Sequence, residues 1–191
     1  MLLIRKIDSL QIDEMDIWLT YTSPERHNFV YAKKIEVDRF RSILGDVMML
    51  TCIMEMTYSD LQSIKIEYSE HGKPYCTSHN VHFSISHSGE YVICVADNKK
   101  VGADIERIKT VPDTLVKKIF SKDEAAWVGT SAERFFEIWT AKEAYLKLIG
   151  LGISGGLKTA VVDPEAKTVN DLPYEVTVTD DGYIYTVVKE N

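Results

Sequence analysis

The stretch Val101-Gly102-Ala103-Asp104-Ile105-Glu106-Arg107 constrains this chain more than any other. It reads as a short strand, and strand side chains alternate between faces. Ala103 and Ile105 therefore share one face, and Asp104 and Glu106 share the other. Two carboxylates so placed have Cα atoms about 6–7 Å apart and repel each other at neutral pH. A hard divalent cation relieves that repulsion, and Mg²⁺ keeps positions open for phosphate oxygens. The plain alternative is a solvated strand face.

The strands before it follow the same period. Val81, Phe83 and Ile85 alternate with His82, Ser84 and Ser86, and His87-Ser88-Gly89 reads as a turn. Tyr91 to Ala96 returns, and a second turn at Asp97 to Lys100 leads into the carboxylate strand. This order predicts a three-stranded antiparallel meander holding His87 and the carboxylates in one sheet. Leu2 to Ile7, Ile64 to Tyr68 and Thr159 to Val162 read as further strands, and Tyr174 to Val178 pairs with Tyr183 to Val188 about Asp180-Asp181-Gly182.

Helices are marked by caps and by apolar spacing. Ser23 before Pro24 starts one. Val37, Phe40, Leu44, Val47 and Met48 define a second, from about Glu36 to Glu55, with Arg39 and Arg41 on its polar side. Pro112 to Phe120 and Lys122 to Val128 are short helices, the latter with a capping box of Ser121 and Glu124. A second box, Thr130 with Glu133, opens a helix of about Ser131 to Ile149 that Gly150 ends. Phe135, Ile138, Trp139, Tyr145, Leu146 and Ile149 form its apolar stripe. Lys142 falls inside that stripe without an evident partner, while Glu143 and Lys147 have the spacing of a surface ion pair.

Net charge excludes some partners. The chain of 191 residues carries 22 basic and 29 acidic side chains, a formal charge of −7, which disfavours general nucleic-acid binding. No apolar run is long enough for a membrane helix, and the first residues lack the pattern of a signal peptide. Cys52, Cys76 and Cys94 are odd in number without metal-ligand spacing, as expected of reduced thiols in a cytoplasmic protein.

Three motifs occur in fixed order: Phe83-Ser-Ile-Ser-His-Ser-Gly89, Val101-Gly-Ala-Asp-Ile-Glu106 and Trp139-Thr-Ala-Lys-Glu-Ala-Tyr-Leu-Lys147. The series resembles the 4′-phosphopantetheinyl transferases, specifically the surfactin-synthetase-activating type. The likeness runs from Ser23-Pro24-Glu25 through Leu44-Gly45-Asp46-Val47 and Gly72-Lys73-Pro74 to Gly152. It implies an α+β fold of two similar subdomains, a monomeric pseudo-dimer. Each subdomain is a small antiparallel sheet on a long helix, with the active site in the cleft between them. The division falls near Lys99 to Val101, giving residues 1–100 and 101–191 of one transferase unit. The shorter, trimeric holo-acyl-carrier-protein synthase type suits this length less well.

The resemblance also implies chemistry. The phosphopantetheine arm of coenzyme A passes to a serine of an apo carrier protein (acyl, peptidyl or aryl), leaving adenosine 3′,5′-bisphosphate. Asp104, Glu106 and Glu143 would hold Mg²⁺, with Mn²⁺ as a substitute, and Lys147 would face the pyrophosphate. Glu143, or a metal-bound water, would take the serine proton. Arg26, Arg41, Ser42, Lys73, Ser86 and His87 match positions that hold the nucleotide phosphates. Phe29 stands where that type has a second lysine. The apolar end of the Glu143 helix and the loop from Gly150 to Lys158 are the candidate carrier-docking surface. Two other readings remain: a Mg²⁺-dependent nucleotide phosphohydrolase, and a non-catalytic carrier-binding module. Retention of three carboxylates and Lys147 weighs against the last.

Overall fold

The computed structural model describes the chain except residues 8–13, 21, 71 and 152–155 and the side chain of Glu25. Part of the expected docking loop, with Gly152 and Gly155, thus lies outside the described residues.

The fold is α+β, with two sheet-rich halves. In the first, β1 (Leu2–Lys6), β4 (His82–Ser88) and β5 (Tyr91–Asp97) form an antiparallel sheet of order β1-β5-β4. A helix from Met15–Leu19, α1, precedes α2 (Pro24–Tyr31), whose first turn is capped by the Ser23 hydroxyl accepting from the Arg26 amide. The long helix α3 (Glu36–Thr57) follows. Phe40, Leu44, Met48 and Cys52 recur every fourth residue along α3 and are buried against Phe83, Val92, Cys94 and Ala96 of the sheet. Burying a side chain of this size contributes about 1.5–3 kcal/mol, so this stripe fixes the helix on the sheet. Between the helix and β4, strands β2 (Ile66–Tyr68) and β3 (Pro74–Cys76) form a two-stranded ribbon.

In the second half, β6 (Val101–Arg107), β7 (Val162–Asp163), β8 (Thr168–Val169), β9 (Leu172–Val178) and β10 (Tyr183–Lys189) form a sheet of order β6-β10-β9-β8-β7. Helices α4 (Asp113–Ile119) and α5 (Lys122–Val128) lead into α6 (Ala132–Ile149). Phe135, Ile138, Ala141, Ala144 and Leu148 of α6 pack in one cluster with Ile184 and Val188. The described helices include none long and apolar enough to cross a membrane.

Four expectations change. The meander does not form: β6 pairs with β10, not with β4 or β5. Its other edge faces β4, where serine hydroxyls replace a backbone ladder. The Ala103, Ile105 and Arg107 amides donate to Ser84, Ser86 and Ser88 Oγ at 3.0, 3.3 and 3.2 Å. The apolar faces of the two sheets close over this seam, Ile93 and Val95 meeting Val101, Ala103 and Ile105. Second, His87 lies within β4, opposite Val92, and not in a turn. Third, α6 is capped by Ser131, which accepts from the Arg134 amide, so the expected box of Thr130 and Glu133 gives way to a single serine cap one residue on. Fourth, Leu157–Thr159 is a 3₁₀ turn, and the strand there begins only at Val162.

The Lys142 ammonium finds its partner across the second half. It is 1% exposed and pairs with Glu124 Oε1 at 2.7 Å, donating also to the Ala160 carbonyl. Glu124 is itself the return half of the α5 capping box, accepting from the Ser121 amide at 2.8 Å, and it accepts from the Val162 amide at 3.0 Å. One buried ion pair therefore ties α5, α6 and the start of β7 together.

Candidate active site

The site begins with a missing side chain. Gly102 shares the Asp104 and Glu106 face of β6, and a Cβ there would run into the Ala144 carbonyl and lie 2.7 Å from the Leu148 amide. Only glycine lets α6 come this close to the strand. That approach brings Glu143 and Lys147, one helical turn apart, over the two strand carboxylates. Gly102→Ala is expected to push helix from strand, costing about 1–3 kcal/mol and lowering Tm by roughly 2–12 °C. A variant that melts like the parent would show that the helix does not depend on this approach.

Asp104 and Glu143 are buried and Glu106 is half-buried. Asp104 Oδ1 accepts from Lys147 Nζ at 2.6 Å and from Ser86 Oγ at 2.7 Å, and Lys147 Nζ also donates to Ser86 Oγ at 2.8 Å. Lys147 is therefore not the surface partner of Glu143. Ser88 Oγ donates to Glu106 Oε2 at 2.8 Å. Two of the seam serines thus do two jobs: Ser86 and Ser88 each accept a β6 amide and aim their own hydrogen at a β6 carboxylate, whereas Ser84 turns its hydrogen to the Ala103 carbonyl.

Electrostatics follow from burial and crowding. Burial, and then repulsion from Asp104, push Glu143 up to about 7, with Lys147 opposing and Glu106 adding a smaller push. Glu106 is raised too, first by burial, while the Ser88 bond holds it down. Asp104 Oδ2 and Glu143 Oε1 are buried oxygens with no hydrogen-bond partner. An orphaned carboxylate oxygen is costly, and two of them in a set of hard donors fit a hard divalent cation. Among the described residues, though, no three His, Cys, Asp or Glu side chains form a group that could hold a metal as they stand.

Beside the carboxylates, a cavity of about 330 Å³ opens between the halves, walled by Arg26, Arg41, Lys73, His87 and Lys147 among others. Arg26 Nε donates to Asp46 Oδ2 at 2.6 Å, and burial raises that aspartate against the pull of Arg26. Arg41 bonds Asp38 at 2.7 Å and the Gly89 carbonyl. Ser42 Oγ donates to the Asp38 carbonyl at 2.9 Å and also lines the cavity. Lys73 Nζ donates to the Lys147 carbonyl and, at 3.4 Å, to that of Leu148, where a cation complements the negative end of α6. Burial, then Lys100 and Lys147, push the Lys73 ammonium down. The His87 imidazole is also pushed down, by burial and then by Arg41, Lys147 and Lys33, so it is neutral at neutral pH.

The expected residues therefore fall into two groups. Asp104, Glu106, Glu143, Lys147 and Ser86 form one cluster; Arg26, Arg41, Ser42, Lys73 and His87 wall the adjoining cavity. Lys147 belongs to both. The Ser86 hydroxyl is taken up by Asp104 and Ile105, and Ser84 lines the cavity in its stead. Sequence reasoning did not find Asp46, Ser88 or Lys33. The alternation of Ser84, Ser86 and Ser88 was a visible signal for the second; the others depend on long-range placement.

The sequence was compared with known proteins. Residues 100–187 match the family model described as 4′-phosphopantetheinyl transferase superfamily, and residues 11–99 match one described as 4′-phosphopantetheinyl transferase, N-terminal. The chain is 33% identical over 174 residues to 4′-phosphopantetheinyl transferase psf-1 of Bacillus pumilus, covering 85% of this chain and 72% of that protein. It is 32% identical over 152 residues to 4′-phosphopantetheinyl transferase Sfp of Bacillus subtilis (strain 168), covering 76% and 67%. The corresponding figures for 4′-phosphopantetheinyl transferase gsp of Aneurinibacillus migulanus are 36% over 121 residues, covering 61% and 51%. The chain thus spans between about half and about three quarters of these relatives.

Proposed function

We propose that this chain, which belongs to the 4′-phosphopantetheinyl transferase superfamily, moves the phosphopantetheine arm of coenzyme A onto a serine of an apo carrier protein. The observation that carries this reading is the convergence on Lys147 of a cation-walled cavity and a cluster of three carboxylates. The cavity suits a polyphosphorylated nucleotide; the cluster suits the reacting end.

Asp104, Glu106 and Glu143 are the residues that would hold Mg²⁺, which when bound neutralises charge on the pyrophosphate as bonds change. Glu143, which burial and Asp104 push up to about 7 in the metal-free site, is the side chain nearest the chemistry that could take the serine proton. The carrier serine oxygen forms a bond to the β-phosphorus. The bond from that phosphorus to the bridging oxygen breaks, and the hydroxyl proton passes to Glu143. Adenosine 3′,5′-bisphosphate leaves, with Arg26, Arg41, Lys73 and His87 around its phosphates. Ser86 and Ser88 keep Asp104 and Glu106 in place throughout.

We place the enzyme in the cytoplasm, working as a monomer and away from nucleic acid and membrane. The three free cysteines, the net charge of −7 and a cavity walled by both halves of one chain support this.

The test is to incubate the protein with coenzyme A, Mg²⁺ and an apo carrier, then to weigh the intact carrier. A gain of one phosphopantetheine, abolished by a chelator, is expected. Nucleotide cleavage without a heavier carrier would favour a hydrolase, and carrier binding without either reaction a non-catalytic module.

A further inference from the structure

Most cations of the cavity are already engaged. Arg26 is paired with Asp46, Arg41 with Asp38, and Lys147 with Asp104, while Lys73 caps α6. Lys33, in the loop after α2, also lines the cavity. Among the described residues its ammonium has no carboxylate or carbonyl partner. It rests instead on the face of Phe29, with Nζ 5.0 Å from the ring centroid. The Arg26 guanidinium lies 4.5 Å from the same centroid. Phe29 is 54% exposed, so its ring is open to cations from solvent as well as from the chain. A ring between two cations attracts both through its quadrupole and holds them apart at a fixed place.

We propose that Lys33, seated on Phe29, is the cation that recognises the terminal phosphomonoester of the nucleotide, and that Phe29 is its positioning residue. This rests on the reading of the cavity as the coenzyme A site. A phosphomonoester carries close to two negative charges at neutral pH, more than either phosphate of the pyrophosphate bridge. Its natural counterpart is a cation with no competing anion. Arg41 and His87 also line the cavity and supply further donors; the cluster of Asp104, Glu106 and Glu143 lies at the Lys147 end, and the nearer carboxylates, Asp46 and Asp38, are already paired with Arg26 and Arg41.

Binding by calorimetry tests this without relying on turnover. The probes are adenosine 3′,5′-bisphosphate and adenosine 5′-monophosphate, which differ only in the 3′-phosphate. The parent is expected to prefer the bisphosphate. Lys33→Ala should weaken the bisphosphate about ten- to a hundredfold, the value of one charge-assisted hydrogen bond, and change the monophosphate less than about threefold. Phe29→Leu keeps the cation but removes its platform and should give a smaller loss of the same preference. Phe29→Lys in the Lys33→Ala background returns a cation to the same wall and should restore the preference. Equal weakening of both nucleotides, or of neither, overturns the proposal. If the parent loads a carrier and prefers the bisphosphate while Lys33→Ala keeps that preference, the role of Lys33 fails alone. A parent without preference or carrier loading sinks the coenzyme A reading together with it.

Discussion

Glu143→Gln is expected to slow carrier loading at least about a thousandfold while leaving the fold intact. The size follows from removing a charge from a site where a metal and a base supply several kcal/mol of transition-state stabilisation, at 1.36 kcal/mol per decade. The same substitution should make the metal-free protein more stable. In the folded chain burial and Asp104 push Glu143 up to about 7, against about 4.3 when unfolded. The folded state therefore binds more protons between those limits. Stability from this group is fully present below about pH 4 and is lost as pH rises toward 7. Glutamine does not titrate, so the advantage of the variant should grow from about pH 4 to about pH 7 and then level. Added Mg²⁺ should raise the Tm of the parent at pH 8 and leave the variant nearly unmoved. Melting curves across pH with and without Mg²⁺, together with single-turnover loading, measure all of this. Parent-like turnover at limiting Mg²⁺ would remove Glu143 from the chemistry.

Lys142→Met is expected to be the costliest single change to stability, about 3–5 kcal/mol, because it strands a buried carboxylate. Glu124 is 3% exposed, and the ammonium is its only counter-charge among the described residues. The loss corresponds to a Tm lower by roughly 6–20 °C in a chain of this size. Glu124→Gln in the same background leaves no stranded charge and should recover much of the stability, since neutral replacements of buried pairs are often tolerated. The amide keeps an oxygen for only one of the Ser121 and Val162 amides, which bond different oxygens of Glu124, so the recovery should be incomplete. Denaturant melts of the single and double variants form the cycle. A single variant within 1 kcal/mol of the parent, or a double variant no better than the single, would refute the account.

Much of the fold was legible because it is local. Apolar side chains every third or fourth residue placed α3 and α6 to within a few residues, and Ser23 with Pro24 and Ser121 with Glu124 marked helix starts by chemistry that needs no distant partner. Alternation gave the faces of β4 and β6, including the one that carries Asp104 and Glu106. What alternation does not encode is the neighbour. Strands in a row suggested a meander, yet β6 crosses to β10 near the end of the chain. The same blindness hid the partner of Lys142, which is 18 residues away in sequence, and left a surface pair with Glu143 as the plain alternative for Lys147, whose ammonium bonds Asp104 on the neighbouring strand β6. Within the site, residue types were legible and their division of labour was not. Ser86 reads as a phosphate ligand from its motif, and only its distance to Asp104 shows where its hydroxyl points.

The serine seam makes β6 a strand with two unlike edges. Amides of alternate residues point to opposite sides of a strand. Those of Gly102, Asp104 and Glu106 look toward the β10 ladder, which opens only when the second sheet itself comes apart. Those of Ala103, Ile105 and Arg107 end on hydroxyls that turn away by rotation about a single side-chain bond. Deuterium should therefore enter β6 in an odd–even rhythm, the odd-numbered amides exchanging first. At this edge no backbone ladder joins the halves; three side-chain hydrogen bonds and the apolar cluster of Ile93, Val95, Val101, Ala103 and Ile105 hold them together.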